Sequence, residues 1–223
     1  MGATAVLAEF ISSARERPLP DSIALATRHV MLDSIGCALG GHSLEAGRLA
    51  VAYAERQPGN ATIIGSARKV TREAAIFANG QLMNVLDLEE CMMNWGHEIP
   101  FVIPVALTVG EELGASGEEV VRAVAIGFEV GVRISAALAG PVRAVGRAPD
   151  LKMEPAGLFG YSSNIFGGAA AAAVLMKLTP EQIEHTFGIA SFLAPVPNAG
   201  GFAAGPHIPM SKYGLMGATA ESA

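Results

Sequence analysis

The sequence predicts an all-α fold: a multi-helix bundle with Ala/Gly-rich helices buried at its centre. Three observations predict it. Apolar residues recur at helical spacing along most of the chain. Capping signatures open several of these stretches, and Pro or Gly closes them. Hydrophobic residues make up 51% of the 223 residues and charged residues only 16%, against about one quarter charged in an ordinary globular protein. Much of this chain must therefore be buried, and its length suits one large domain with a sizeable core.

The elements follow in order. Ala3–Arg15 reads as an amphipathic helix stopped by Pro18 and Pro20. Asp21 is placed to cap a second helix, Ser22–Leu39, whose Leu25, Leu32, Ile35 and Leu39 recur at helical spacing and which ends at Gly40-Gly41. Leu44–Arg56 is a third, ended by Pro58-Gly59. Ala61–Ile64 is a β-branched run suited to one arm of a small hairpin closing at Arg68-Lys69. Thr71 caps a helix through Leu86, and another runs from Pro100 to Leu113. Ser116-Gly117-Glu118-Glu119 is a capping box opening a long helix to Leu138, which Gly140-Pro141 ends. Thr179-Pro180-Glu181-Gln182 is a second box, with Pro at the first helical position of Glu181–Leu193. Pro and Gly density predicts loops from Gly140 to Gly157 and from Pro195 to Pro209.

Two patterns concern packing. Ala123, Gly127, Gly131, Ser135 and Ala139 repeat every four residues, a spacing that lets two helix backbones approach closely. Gly167 through Ala173 is nearly all small residues, so it predicts a helix buried on every side.

Bulk properties exclude several classes. The net charge is −6 and no Lys/Arg-rich run exists, which argues against nucleic acid as a partner. Glu9, Arg15, Glu16 and Arg17 interrupt the first twenty residues, unlike a secretory signal. The longest apolar runs, Ile99–Gly110 and Ile165–Met176, are too short for a membrane span of about 20 residues. A cytoplasmic protein without membrane attachment is expected. Cys37 and Cys91 lie far apart and read as reduced thiols.

Titratable groups concentrate between Asn79 and Pro104, in NGQLMNVLDLEECMMNWGHEIPFVIP. Asp87 reads either as a turn acid ending its helix or as the orienting partner of His97 in an acid/base pair. Glu89 and Glu90 read as solvated. Asp87, Glu89, Glu90, Cys91 and His97 include metal-ligand types, but one Cys and one His match no closed zinc pattern, and no metal is expected. A Cys91–His97 nucleophile has no supporting motif. Lys212, in PMSKYGLMG, is a surface lysine at a helix start or part of an anion site at a helix N-terminus, which His207 could join. His29, His42 and His185 read as structural. No Walker loop, dinucleotide fingerprint or G-x-S-x-G elbow is present.

Several segments, in order, resemble the helical domain of the MmgE/PrpD family, which includes 2-methylcitrate dehydratase, cis-aconitate decarboxylase and iminodisuccinate epimerase. RHVMLDSIGCALGG is similar to the family's LLDTLGCALAG helix, and FANGQLMNVLDLEE to its HxLDFDDT segment. GHEIPFVIPVALTVGEELGASGEEVVRAVAIGFEVGVRI, IFGGAAAAAVLMKLTPEQIEHTFGIA and SKYGLMGATAESA follow in register. The resemblance implies a lyase or isomerase acting on a small di- or tricarboxylic acid without a cofactor, and a homodimer. It implies His97 as general acid/base oriented by Asp87, with Lys212 binding a substrate carboxylate or an enolate-like charge. Cys91 takes the place of the motif's threonine, beside the substrate. The family's histidine ahead of the Ala-rich helix falls at Leu158 or Phe159, so a second imidazole is lacking. Family chains are longer and add an α+β lid domain. The resemblance implies that residues 1–223 are the helical domain, with the lid domain absent. The alternative is a catalytically silent helical scaffold, or a subunit that needs a second polypeptide.

Overall fold

A computed structural model describes residues 2–92, 96–139, 142–155, 161–195 and 211–223, with backbone alone for 139, 142–144, 153–155 and 211–215. The helices are α1 (Ala3–Arg15), α2 (Asp21–Gly41), α3 (Glu45–Ala54), α4 (Arg72–Asn84), α5 (Ile99–Leu113), α6 (Gly117–Ala139), α7 (Ile165–Leu175), α8 (Pro180–Leu193) and α9 (Ser211–Glu221). Two antiparallel hairpins accompany them: β1 (Pro58–Thr62) with β2 (Lys69–Val70), and β3 (Val142–Val145) with β4 (Lys152–Pro155). The fold is all-α, as the sequence predicts.

Local chemistry sets the helix starts. Thr71 Oγ1 accepts from Ala74 N at 3.3 Å. Ser116 and Glu119 close their box in both directions, at 3.3 and 2.9 Å, and Thr179 and Gln182 do the same. Each cap satisfies N–H groups that a helix start leaves unpaired. Gly114, at φ +63°, ends α5 in the left-handed region, where a side chain would cost energy.

The core gathers α4, α5, α6 and α7. From Ile99 through Ala106 every residue of α5 is buried, which explains why that stretch carries no charge. Burying a side chain as large as Phe101 or Ile103 stabilises the fold by about 1.5–3 kcal/mol. Helix α7 contributes little volume and instead admits close contact. A Cβ on Gly127 would stand 2.6 Å from the Gly167 carbonyl oxygen. The crossing of α6 and α7 is therefore backbone against backbone, as the four-residue stripe predicts.

Three expectations need correction. Asp21 makes no side-chain cap; it lies inside α2, after Pro20. The row of leucines on α2 faces outward: Leu25 and Leu39 are each 53% exposed and Leu32 71%. The buried face is Ser34, Cys37, Ala38 and Gly41, because a Cβ on Gly41 would already meet the Leu82 carbonyl at 2.5 Å. Close approach to α4 selects the small face over the greasy one. The stretch read as loop after α6 contains the β3–β4 hairpin. The second predicted loop lies mostly outside the described residues.

Helix α9 lies antiparallel on α4. Gly217 N donates to Gln81 Oε1 at 3.1 Å, and at the far end burial first and the Glu73 charge second push the Glu221 carboxyl up. Continued one turn and a half, that register carries the start of α9 to the level of the end of α4.

Candidate active site

The end of α4 and the start of α5 meet at the acidic stretch. Asp87 follows α4 with φ +55°, and its N–H donates to the Asn84 carbonyl at 2.8 Å. Asp tolerates this left-handed conformation better than most residues. Gly96, at φ +85°, turns the chain back into α5; a Cβ there would stand 3.2 Å from the Tyr161 ring. These two turns bring Asp87 and His97 together.

His97 is 8% exposed and is held on both edges. Its Nε2 lies 3.4 Å from Asp87 Oδ1. Its Nδ1 lies 2.8 Å from the Glu90 carbonyl oxygen and 3.1 Å from Glu89 Oε1. The carbonyl can only accept, so Nδ1 carries a proton. In the neutral ring Nε2 then holds the lone pair, on the edge where Asp87 is still partly open to solvent. The Asn164 amide donates to the His97 carbonyl at 2.6 Å, and the Tyr161 ring stands 6.5 Å away, tilted by 35°.

The surrounding acids are not equivalent. The Glu89 side chain is fully buried and receives a hydrogen bond from the Asn84 amide. Glu90 Oε2 accepts from the N–H groups of Glu98 and Ile99, both at 3.1 Å. Burial pushes the Glu90 carboxyl up, against these N–H groups and that of Met92, which lower it. Glu98 turns inward between α6 and α7, where a Cβ on Gly131 or Gly167 would collide with its carboxyl. Burial first and the Glu90 charge second raise it well above the usual carboxylate range, so its neutral form is favoured. The expectation that Glu89 and Glu90 are solvated is therefore wrong: Glu89 is buried and Glu90 half-buried.

Asp87, Glu89 and His97 bring one ligand-type atom each within 4.8 Å of one another. Asp87 and Glu89 face opposite ring nitrogens. The two carboxylates therefore hold the imidazole from both sides.

Of the other sequence-predicted residues, Cys91 is exposed beside Glu90. Lys212 lies in the first turn of α9, with its side chain outside the described atoms, and His207 lies outside the described residues. So do the positions of the missing second histidine, Leu158 and Phe159. Sequence reasoning missed Glu89, Asn84, Tyr161 and Asn164. Asn164, just ahead of the Ala-rich helix, carried a weak signal as a helix-start residue, and Glu89 carried one as part of the acidic stretch; Asn84 and Tyr161 carried none, because their contacts are tertiary.

A model of the MmgE/PrpD N-terminal domain matches residues 5–199. The chain belongs to the MmgE/PrpD family. It is similar to a cis-aconitate decarboxylase-like protein of Aspergillus oryzae, 27% identical over 200 residues, which are 84% of this chain and 39% of that relative. It is also similar to a cis-aconitate decarboxylase of Aspergillus terreus, 26% identical over 85% of this chain and 38% of the relative. The chain thus spans about two fifths of the length of these curated relatives. The turns at Asp87 and Gly96 lie inside the matched residues. Among the described residues no helix is long and apolar enough to cross a membrane.

Proposed function

We propose that this MmgE/PrpD domain carries the acid/base half of a lyase that acts on a small tricarboxylic or dicarboxylic acid of the cis-aconitate kind. The observation that carries this reading is His97 held between Asp87 and the Glu89–Glu90 pair, with Nε2 on the edge that Asp87 faces. In a decarboxylation, loss of CO2 leaves an electron pair delocalised toward a neighbouring carboxylate, and the His97 imidazolium returns a proton to carbon. In a dehydration, the neutral ring removes a proton beside a carboxylate and hydroxide departs. Asp87 stabilises the imidazolium in either case. The names of the relatives favour decarboxylation; dehydration and epimerisation use the same first group.

A polyanionic substrate must meet positive charge in this acid-rich place. Lys212 is assigned that role, because the register of α9 brings its backbone to the end of α4 that carries Asp87. A helix start adds partial positive charge. Burial of Glu98 in its neutral form reduces the repulsion. Cys91 and His207 are assigned to substrate binding. No cofactor or metal has a part in this reading, and the protein is read as a cytoplasmic homodimer.

The test uses the natural full-length chain with cis-aconitate and related acids in deuterated water, followed by proton NMR. Turnover with deuterium on carbon is expected, and its loss in His97→Gln. Equal turnover by His97→Gln sinks the reading. The alternative, a catalytically silent subunit that works against a second polypeptide, is favoured by the outward leucines of α2. It predicts a stoichiometric partner on purification and no turnover alone.

A further inference from the structure

Helix α5 begins without a cap of its own. Its N-cap residue is Glu98, whose side chain makes no capping bond and points into the α6/α7 crossing instead. The first N–H groups of a helix need acceptors. Glu90 supplies them from outside the helix: Oε2 accepts from both Glu98 N and Ile99 N at 3.1 Å. The same residue's carbonyl oxygen takes His97 Nδ1 at 2.8 Å. One residue thus grips the chain at 98 and 99 with its carboxylate and the ring at 97 with its backbone. Both contacts belong to one residue, so the carboxylate that holds residues 98 and 99 also keeps the Glu90 carbonyl beside the imidazole.

We propose that Glu90 is a positioning residue: its carboxylate clamp on the start of α5 holds in place the carbonyl that keeps a proton on His97 Nδ1, so that proton exchange runs at Nε2, the edge that Asp87 Oδ1 faces at 3.4 Å. The inference rests on the acid/base reading of His97 for its consequence, but not for its geometry. Glu89 Oε1, 3.1 Å from the same nitrogen, strengthens the preference without setting it. A carboxylate can follow a displaced ring by rotating, whereas a carbonyl fixed in a loop cannot. A merely structural cap would stabilise α5 and leave the tautomer alone, which separates the two roles.

The experiment is long-range 1H–15N correlation NMR of the full natural chain labelled at histidine, recorded above the titration midpoint of His97. Wild type is expected to show a protonated Nδ1 and an unprotonated Nε2. In Glu90→Ala the neutral ring is expected to shift by half or more of its population to Nε2–H. Glu90→Gln, whose amide oxygen still accepts from residues 98 and 99, is expected to restore the wild-type pattern. His42, which contacts the Ile64 carbonyl far from this clamp, is the internal control for an intact fold. If Glu90→Ala does not fold, Glu90→Asp, one methylene shorter, is expected to show an intermediate shift. An Nε2–H ring in wild type, or an unshifted tautomer in a folded Glu90→Ala or Glu90→Asp, overturns the proposal. With cis-aconitate, kcat should fall by about tenfold in Glu90→Ala with KM nearly constant, as lost orientation implies. If no acid turns over at all, the lyase reading fails while the spectra still decide the role of Glu90.

Discussion

Asp87 reaches His97 from a backbone conformation that most residues avoid: its φ is +55°, and its Oδ1 stands 3.4 Å from the ring's Nε2. Left-handed backbone costs an ordinary L-residue about 1–2 kcal/mol, and Asp somewhat less. The chain adopts it at the point where the Asp87 carboxylate faces the His97 imidazole.

Glycine at this position removes both the strain and the carboxylate. Asp87→Gly is expected to leave stability unchanged or raise it by about 0.5–1 kcal/mol, while turnover falls. Urea denaturation and kinetics on the same preparation check this. A loss of more than about 1 kcal/mol of stability would mean that Asp87 holds the fold rather than the site.

Removing the imidazole isolates the buried Glu89. His97→Gln is expected to lower kcat by roughly 10²–10⁴-fold, the usual contribution of a general acid/base. Its circular dichroism should match wild type. Loss of stability is expected to be modest, because the amide still donates toward Glu89 or the Glu90 carbonyl. Steady-state kinetics and thermal melts give both numbers.

Glu98 makes stability depend on pH, and the sign follows from its raised folded value. The unfolded carboxyl loses its proton near its ordinary value of about 4.3, while the folded one keeps it. Above that pH the native state binds the extra proton, so stability falls as pH rises. Glu98→Gln removes this dependence. It is expected to melt higher than wild type by about 2–4 °C at pH 8, with the gap shrinking toward pH 5. A gap that grows toward acid would refute the burial of a neutral carboxyl.

The same carboxyl fills the space over Gly131. Gly131→Ala is expected to cost about 1–3 kcal/mol, as overpacking does. In a Glu98→Ala background the added methyl occupies vacated space, and the cost should fall by more than half. A double-mutant cycle from denaturation curves measures the coupling. Additive effects would place the two side chains apart.

Lys212 is the remaining prediction for the site. Lys212→Ala is expected to raise KM for a tricarboxylate by about tenfold or more, the loss of one charge-assisted contact, with Lys212→Arg recovering part of it. Unchanged KM would remove Lys212 from substrate binding.

Much of this was legible in the chain because it is local. Ser116 with Glu119, and Thr179 with Gln182, need only three residues to declare a helix start, and both boxes form. Asp87 and His97 were legible as a pair because one loop joins them. The face of α2 was misread because hydrophobic patterning weighs Leu25, Leu32 and Leu39 above Ser34, Cys37 and Ala38, whereas packing against α4 rewards small size. Glu89 was misread because its burial depends on Asn84 and His97, which its own sequence neighbourhood does not announce. The position of Glu98, between two glycines of different helices, is likewise a purely tertiary fact. The functional family was legible in ordered motifs, while the choice among its reactions was not, since that choice rests on the substrate.

Helix α7 also has an entropic meaning. Ala169, Ala170, Ala171 and Ala173 are fully buried, and alanine and glycine lose no rotamer freedom when they are enclosed. Helix α7 is thus assembled from the side chains that are cheapest to immobilise, beside the larger ones of α4 and α5. The same choice leaves this region almost without mutational slack: larger residues have no room beside Gly127, and the only smaller replacement for alanine is glycine, which loosens the helix itself. Substitutions that keep the fold are therefore expected on the exposed helix faces rather than along α7.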